Sequence, residues 1–246
     1  MLIALFADMH GNRQAFEACL AQARDFGAQR YVLLGDFVGY GADPDWVVTT
    51  AMELADKGAI AVLGNHDSAI AHPREQMNIE AKVAIEWTRG ELGTAQRRFL
   101  AGLPLRQNDG DRLYVHSEAS NPASWIYVTS TAEASRSLAF DPAQITFCGH
   151  VHRPAIYSMS PTAKMTAFTP TTGAAVPLLQ GRRWLSVLGS VGQPRDGNPA
   201  AAFAMFDSDR RELTYCRVPY DVEQAVAAIR RKGLPRWLAD RLLIGQ

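Results

Sequence analysis

Cysteine is scarce in this chain: 246 residues contain three, Cys19, Cys148 and Cys216, and no CxxC pair. An odd, scattered set builds no disulfide framework, so the reducing cytoplasm is the expected compartment. Neither sign of charge is in excess, with 25 Lys plus Arg against 25 Asp plus Glu. Chains that grip long nucleic acid usually carry a basic surplus, so no long nucleic acid is expected as partner. Long apolar runs are missing too. The opening stretch has no basic flank and meets Asp8 after seven residues. That is too short for a secretory core or a membrane span, so it reads as a strand and no membrane partner is expected. Without repeat, low-complexity tract or linker, and with 47% apolar residues, a single domain over 1–246 is predicted.

What the chain does have is ordered histidine. Five of the six histidines lie in four short motifs: Asp8-Met9-His10, Gly64-Asn65-His66-Asp67, Val115-His116 and Gly149-His150-Val151-His152. Gly35-Asp36 falls between the first two. Each motif follows a short apolar run that reads as a strand, namely Leu2 to Ala7, Tyr31 to Leu34, Ile60 to Leu63, Arg112 to His116 and Ile145 to Cys148. Carboxylate, amide and imidazole groups gathered at several strand ends are what a two-metal site requires.

Between the strands, helical stripes appear at Phe16, Cys19, Leu20 and Ala23, and at Val48, Ala51, Leu54 and Ala55. Asp43 and Pro44 are placed as N-cap and first residue of the second helix. Ile79, Val83 and Trp87 mark a further helix, and Ala95 to Leu100 a shorter one. A hairpin is expected across Asn108-Asp109-Gly110. Residues 155–188, rich in Pro, Thr and Gly, predict a β-rich elaboration that shapes substrate access. Another hairpin follows around Asp207-Ser208-Asp209, and C-terminal helices occupy 221–246.

In their order along the chain these motifs resemble the calcineurin-like metallophosphoesterase superfamily, in particular its small bacterial and archaeal members. Gly189-Ser190-Val191-Gly192 is similar to the strand end that follows Gly-His-x-His in those members. The resemblance implies an α/β fold, a four-layer α/β/β/α sandwich of two mixed sheets flanked by helices. It also implies phosphodiester or phosphomonoester hydrolysis, with a nucleotide or other small phosphoester as substrate. A protein phosphatase and a metal-bound, non-catalytic interaction scaffold are the alternatives. Scaffold relatives tend to lose the acid histidine, which this chain keeps.

The residues suit that chemistry. Asp8 and His10 alternate along an extended strand exit, so both side chains point one way. Asp36 is the natural bridging carboxylate, able to give one oxygen to each of two cations. By resemblance, Asp8, His10, Asp36 and His152 hold one metal, while Asp36, Asn65, His116 and His150 hold the other. The mixed nitrogen and oxygen set suits manganese, iron or zinc better than calcium or magnesium. Two cations sharing a solvent molecule lower its pKa enough to generate hydroxide near neutral pH. His66 is the expected general acid, and Asp67 orients it or a neighbouring ligand. In the protein-phosphatase branch an acidic residue stands three positions after the bridging aspartate; here that position is Gly39.

Blander readings exist for single residues. His72 belongs to no motif and reads as solvated. Asn12 reads as the N-cap of the first helix. Cys148 reads as a buried strand thiol. Gly39-Tyr40-Gly41 lacks the third glycine of a dinucleotide loop. Arg13, at a helix start, and Arg195, after a strand end, are the candidate phosphate contacts. For both, a solvated surface arginine is an equal alternative. Tyr40 and Trp125 are candidate stacking partners that more often serve as core or rim aromatics.

Overall fold

The computed structural model describes residues 1–72 and 79–246. The first sheet grows from β1 (Leu2–Phe6), whose apolar residues are buried on both faces, as a central strand demands. Helix α1 (Arg13–Asp25) carries the chain back to β2 (Arg30–Leu33), and α2 (Pro44–Asp56) carries it on to β3 (Ile60–Ala61). Both connections give parallel pairing, β1 to β2 to β3. Helices α3 (Asn65–Ala71), α4 (Ile79–Glu91) and α5 (Thr94–Ala101) then lead to the second sheet. That sheet begins with β4 (Arg106–Asp109) and β5 (Arg112–Val115), the expected hairpin. It continues through α6 (Thr131–Phe140) to β6 (Ile145–Cys148).

The next strands are shared between the sheets. β7 (Ala155–Met159), β8 (Met165–Phe168) and β10 (Arg183–Val187) join the second sheet, while β9 (Ala175–Pro177) lies at an edge of the first. The hairpin of β11 (Ala201–Asp207) and β12 (Glu212–Val218) completes the first sheet, followed by α7 (Val222–Arg231) and α8 (Arg236–Asp240). The strand orders are β3-β2-β1-β11-β12-β9 and β4-β5-β6-β10-β7-β8.

Strand alternation explains the layering. Ile3, Leu5 and Ala7 face the other sheet, meeting Tyr114, Ile145 and Phe147. Ala4 and Phe6 face outward onto Phe16, Cys19, Leu20 and Ala23 of α1. On the far side, Leu113, Val115, Leu185 and Val187 pack on Ala134 and Leu138 of α6. Helix, sheet, sheet and helix therefore stack as four layers, the architecture expected from the motifs.

Several local expectations are corrected. Asp43 occupies the N-cap of α2 with Pro44 behind it, but its side chain makes no capping bond. In α4 the buried face is Ala81, Ala84, Ile85 and Thr88, whereas Ile79 is 77% exposed and Val83 43%. Ala81 and Ala84 join one buried cluster with Ala225 and Ala228 of α7 and Leu238 of α8. Helix α6 escaped the periodicity reading because its apolar residues are few. A capping box announces it instead, with Ser130 accepting from Ala132 N and Glu133 reaching back to Ser130 N. Among the described residues no helix is long and apolar enough to cross a membrane.

Candidate metal centre

All the motifs emerge at carboxyl ends of parallel strands, on one edge of the sandwich, where α/β sheets place their sites. Asp8 and His10 follow β1, Asp36 follows β2, Asn65 opens α3 after β3, His116 follows β5, and His150 and His152 follow β6. Backbone bonds zip the first two loops together: Asp8 N to Gly35 O, His10 N to Asp36 O, and Gly11 N to Phe37 O.

The Asp8–His10 segment is not an extended strand exit. β1 ends at Phe6, and Asp8 and His10 have φ of 57° and 48°, in the left-handed region. Asp36, His150 and His152 share it, at 53°, 68° and 63°. Non-glycine residues seldom adopt this conformation, and its concentration at functional sites reflects strain that the surrounding packing over-determines. A turn, rather than period-two alternation, brings Asp8 and His10 to the same side.

The side chains converge in two clusters that share Asp36: Asp8, His10, Asp36 and His152, and Asp36, His116 and His150. All six are buried. His10 Nε2 lies 3.1 Å from His152 Nε2, and His116 Nε2 lies 3.1 Å from His150 Nδ1. Asn65 Oδ1 comes within 3.2 Å of His116 Nε2 and so joins the second cluster. Asp36 Oδ2 is 3.6 Å from His10 Nε2 and 3.4 Å from His116 Nε2, so one oxygen faces both clusters. The other, Oδ1, accepts the backbone N–H of His66 at 2.8 Å.

Each ring is oriented by its outer nitrogen. His10 Nδ1 faces Val38 O at 3.0 Å, and His152 Nδ1 faces Gln193 O at 2.7 Å. His116 Nδ1 faces Leu34 O at 2.7 Å, and His150 Nε2 faces Trp125 O at 2.8 Å. A carbonyl only accepts, so in each neutral ring the outer nitrogen carries the proton and the inner one presents a lone pair. Two pairs of lone pairs therefore confront each other at 3.1 Å, which repels unless a cation or a proton stands between them.

The titration behaviour agrees. Burial holds His10 and His152 well below the ordinary imidazole value and lowers His150 to about 3. Burial also pushes Asp8 up to about 8. Burial acts the same way on Asp36, but the His116 charge outweighs it and keeps that carboxylate ionised. Reciprocally, burial would lower His116, yet Asp36 raises it to about 9. Without metal, a proton on His116 takes the place of positive charge.

Asp67 is a positioning residue, not a group that meets the reacting atoms. Its carboxylate accepts from the N–H of Asp36 at 2.7 Å, Phe37 at 2.9 Å, Val38 at 3.3 Å and Gly64 at 3.1 Å. It holds the Asp36 loop against the start of α3. His66 is buried with its ring edge-on to His10 (centroids 4.8 Å apart) and to Tyr40 (4.5 Å). Its Nδ1 has no hydrogen-bond partner among the described residues. Gly39, where the protein-phosphatase branch carries an acid, explains this. A Cβ there would lie 2.3 Å from His66 Nδ1, and φ is +87°. Gly39→Ala is accordingly expected to displace His66, lowering turnover at least as far as loss of that ring, with metal content unchanged. Metal analysis beside a rate assay checks this, and wild-type turnover in the variant would refute the placement of His66.

The candidate phosphate contacts separate. Arg13 turns to Glu17 (3.6 Å) and lies over the Trp46 ring (5.1 Å), and among the described residues no ion pair or ring contact joins it to the clusters. Arg195 belongs at the site: its guanidinium lies 5.8 Å from the Tyr40 ring centroid, and its N–H groups bond Gln193 Oε1 at 2.8 and 3.3 Å. Trp125 sits 6.0 Å from His116, and Tyr127, which no sequence signal singled out, stacks on His150 at 4.1 Å. Asn12 caps α1 through Ala15 N and also ties Gly192 O to the first loop. Cys148 is buried, and its thiol is pushed up by that burial. His72 is exposed.

This geometry defines a metal-centre class: imidazole and carboxylate clusters sharing one aspartate between face-to-face sheets. The chain belongs to the calcineurin-like phosphoesterase superfamily, whose domain matches residues 1–211. It is 33% identical to a metallophosphoesterase from Sphaerobacter thermophilus, with TM-score 0.88 and full coverage of both chains. It is 29% identical to uncharacterized protein MJ0912 of Methanocaldococcus jannaschii, over 100% of this chain and 98% of that protein. Hypothetical protein PH1004 from Pyrococcus horikoshii shares the fold at 20% identity and TM-score 0.77, covering 100% of this chain and 98% of that one.

Proposed function

We propose that the protein is a dinuclear metal-dependent phosphoesterase acting on small phosphoesters, nucleotides among them. The observation that carries this reading is the inward convergence of four imidazole lone pairs, in two pairs, on two clusters that share Asp36, whose Oδ2 faces His10 Nε2 and His116 Nε2. His10, His152, Asp8 and Asp36 would hold one divalent cation, and His116, His150, Asn65 and Asp36 the other. The mixed nitrogen and oxygen donor set suits manganese, iron or zinc. When bound, such cations activate water and neutralise charge on the phosphoryl oxygens.

The chain's own residues do the rest. Outer-nitrogen bonds to Val38, Gln193, Leu34 and Trp125 carbonyls lock the rings. Preset rings avoid reorganisation during reaction. Asp67 fixes the Asp36 loop. Arg195, steadied by Gln193, contacts a phosphoryl oxygen, and its planar fork suits that role. His66 gives a proton to the leaving oxygen. Burial, with Arg195 and His116 adding to it, lowers His66 to about 4 in the free protein. A bound anionic phosphoester acts in the opposite direction and favours the protonated ring.

The test is hydrolysis of bis(p-nitrophenyl) phosphate with added manganese, alongside metal analysis. Two metal equivalents and chelator-sensitive turnover are expected. Two equivalents with no turnover on this ester, on nucleotides or on phosphopeptides would instead support the scaffold reading. Turnover confined to phosphopeptides would support a protein phosphatase.

A further inference from the structure

Beside the first cluster, a concavity of about 590 Å³ is lined by Arg153, Arg195, Asp196, Gly197, Arg241 and Gln246. Three of these six residues are arginines. The one acidic side chain among them is already engaged, because Asp196 pairs with Arg217. Among the described residues, no Asp or Glu carboxylate lies within salt-bridge distance of Arg153 or Arg195, and Arg241 is engaged only through the main-chain oxygen of Gln246, although the chain carries as many acidic as basic groups. Guanidinium groups converging on one hollow are an anion-binding arrangement, since each offers a planar set of donors.

The arginines are also held in place. Arg153 follows the cluster residue His152 directly, and its Nε donates to Arg195 O at 2.6 Å. Arg195 N donates back to His152 O at 3.2 Å. Arg241 comes from the C-terminal segment, outside the residues that the superfamily domain matches. Its guanidinium lies 4.1 Å from the Trp237 ring centroid, and its Nε donates to the main-chain oxygen of Gln246. Gly197 N donates to Gly245 O at 3.0 Å, docking that segment onto the loop that carries Arg195. Burial and the neighbouring Arg195 charge lower Arg241 to about 10, as expected where positive charges crowd.

We propose that Arg153, Arg195 and Arg241 form a polyanion subsite beside the metal centre, and that the substrate is a phosphoester bearing at least one further phosphate, of the nucleoside diphosphate kind. The proposal rests on the phosphoesterase reading for the position of the reacting phosphoryl group: Arg195 touches that group, while Arg153 and Arg241 take the next one. A solvated surface would make all three arginines dispensable for binding.

The experiment compares two competitors that differ by one phosphate, AMP and α,β-methylene-ADP, in excess manganese so that chelation is saturated. Their affinities are measured by calorimetry and by inhibition of bis(p-nitrophenyl) phosphate hydrolysis, for wild type, Arg153→Gln and Arg241→Gln. Each substitution is expected to weaken α,β-methylene-ADP about tenfold, leaving AMP affinity and hydrolysis of the simple diester unchanged. Equal weakening of both nucleotides, or of neither, overturns the subsite. Calorimetry reads the subsite even if no ester is hydrolysed, so its failure is distinct from failure of the phosphoesterase reading.

Discussion

Asp36→Asn is expected to lower kcat/KM by about 10³-fold or more, equivalent to about 4 kcal/mol of transition-state stabilisation. Bound metal should fall from two equivalents to one or none. The substitution barely changes shape, so the effect is chemical. Asp36 Oδ2 faces His10 Nε2 and His116 Nε2 while Oδ1 accepts from His66 N. An amide cannot satisfy both demands. With its oxygen toward His66, the NH₂ group points into the clusters, where donors repel cations. Turned round, the NH₂ confronts the His66 N–H. Retention of two metals and activity within tenfold of wild type would show that the clusters do not share this carboxylate.

His66→Gln should lower kcat by 10²–10⁴-fold on esters with alkoxide leaving groups, the usual contribution of a positioned acid. The loss should shrink on p-nitrophenyl esters, whose leaving group departs without a proton. Metal content stays at the wild-type value, because His66 donates no ring nitrogen to either cluster. A uniform loss on both ester types would assign His66 a purely structural role. The same variant has a stability signature. His66 is lowered from 6.5 to about 4 by burial. A depressed folded-state value gives stability that is complete above the unfolded pKa and lost as pH falls towards the folded one. Between pH 6.5 and 4 the wild type should therefore lose about 3 kcal/mol that the Gln variant does not. Thermal unfolding across that range measures it.

Much of the site was legible because its residues sit beside strong local signals. Apolar runs mark the strands, and each motif follows one. The order of the motifs, through the family resemblance it carries, implied Asp8, His10, Asp36, Asn65, His116, His150 and His152 as one set, and the structure gathers all seven. What failed was directional. The Asp8–His10 turn was misread because strand periodicity says nothing about left-handed residues, which backbone bonds from neighbouring loops stabilise. Arg13 was nominated from a helix start, and only packing against Trp46 shows that it faces elsewhere. In α4 hydropathy favours Ile79 and Val83, yet the buried cluster with α7 and α8 takes Ala81 and Ala84 instead.

The same division runs through the chemistry. Sequence alone determined the donor set, since which atoms can ligate is a property of side chains, and the order of motifs reflects which strands are parallel. Tertiary structure decided which atoms face inward, because each imidazole is oriented by a carbonyl 25 to 82 positions away. It also decided the role of Asp67, the bare Nδ1 of His66 above Gly39, and the meeting of Arg153 and Arg195 with Arg241. Such contacts join residues far apart in the chain, and no local pattern encodes them.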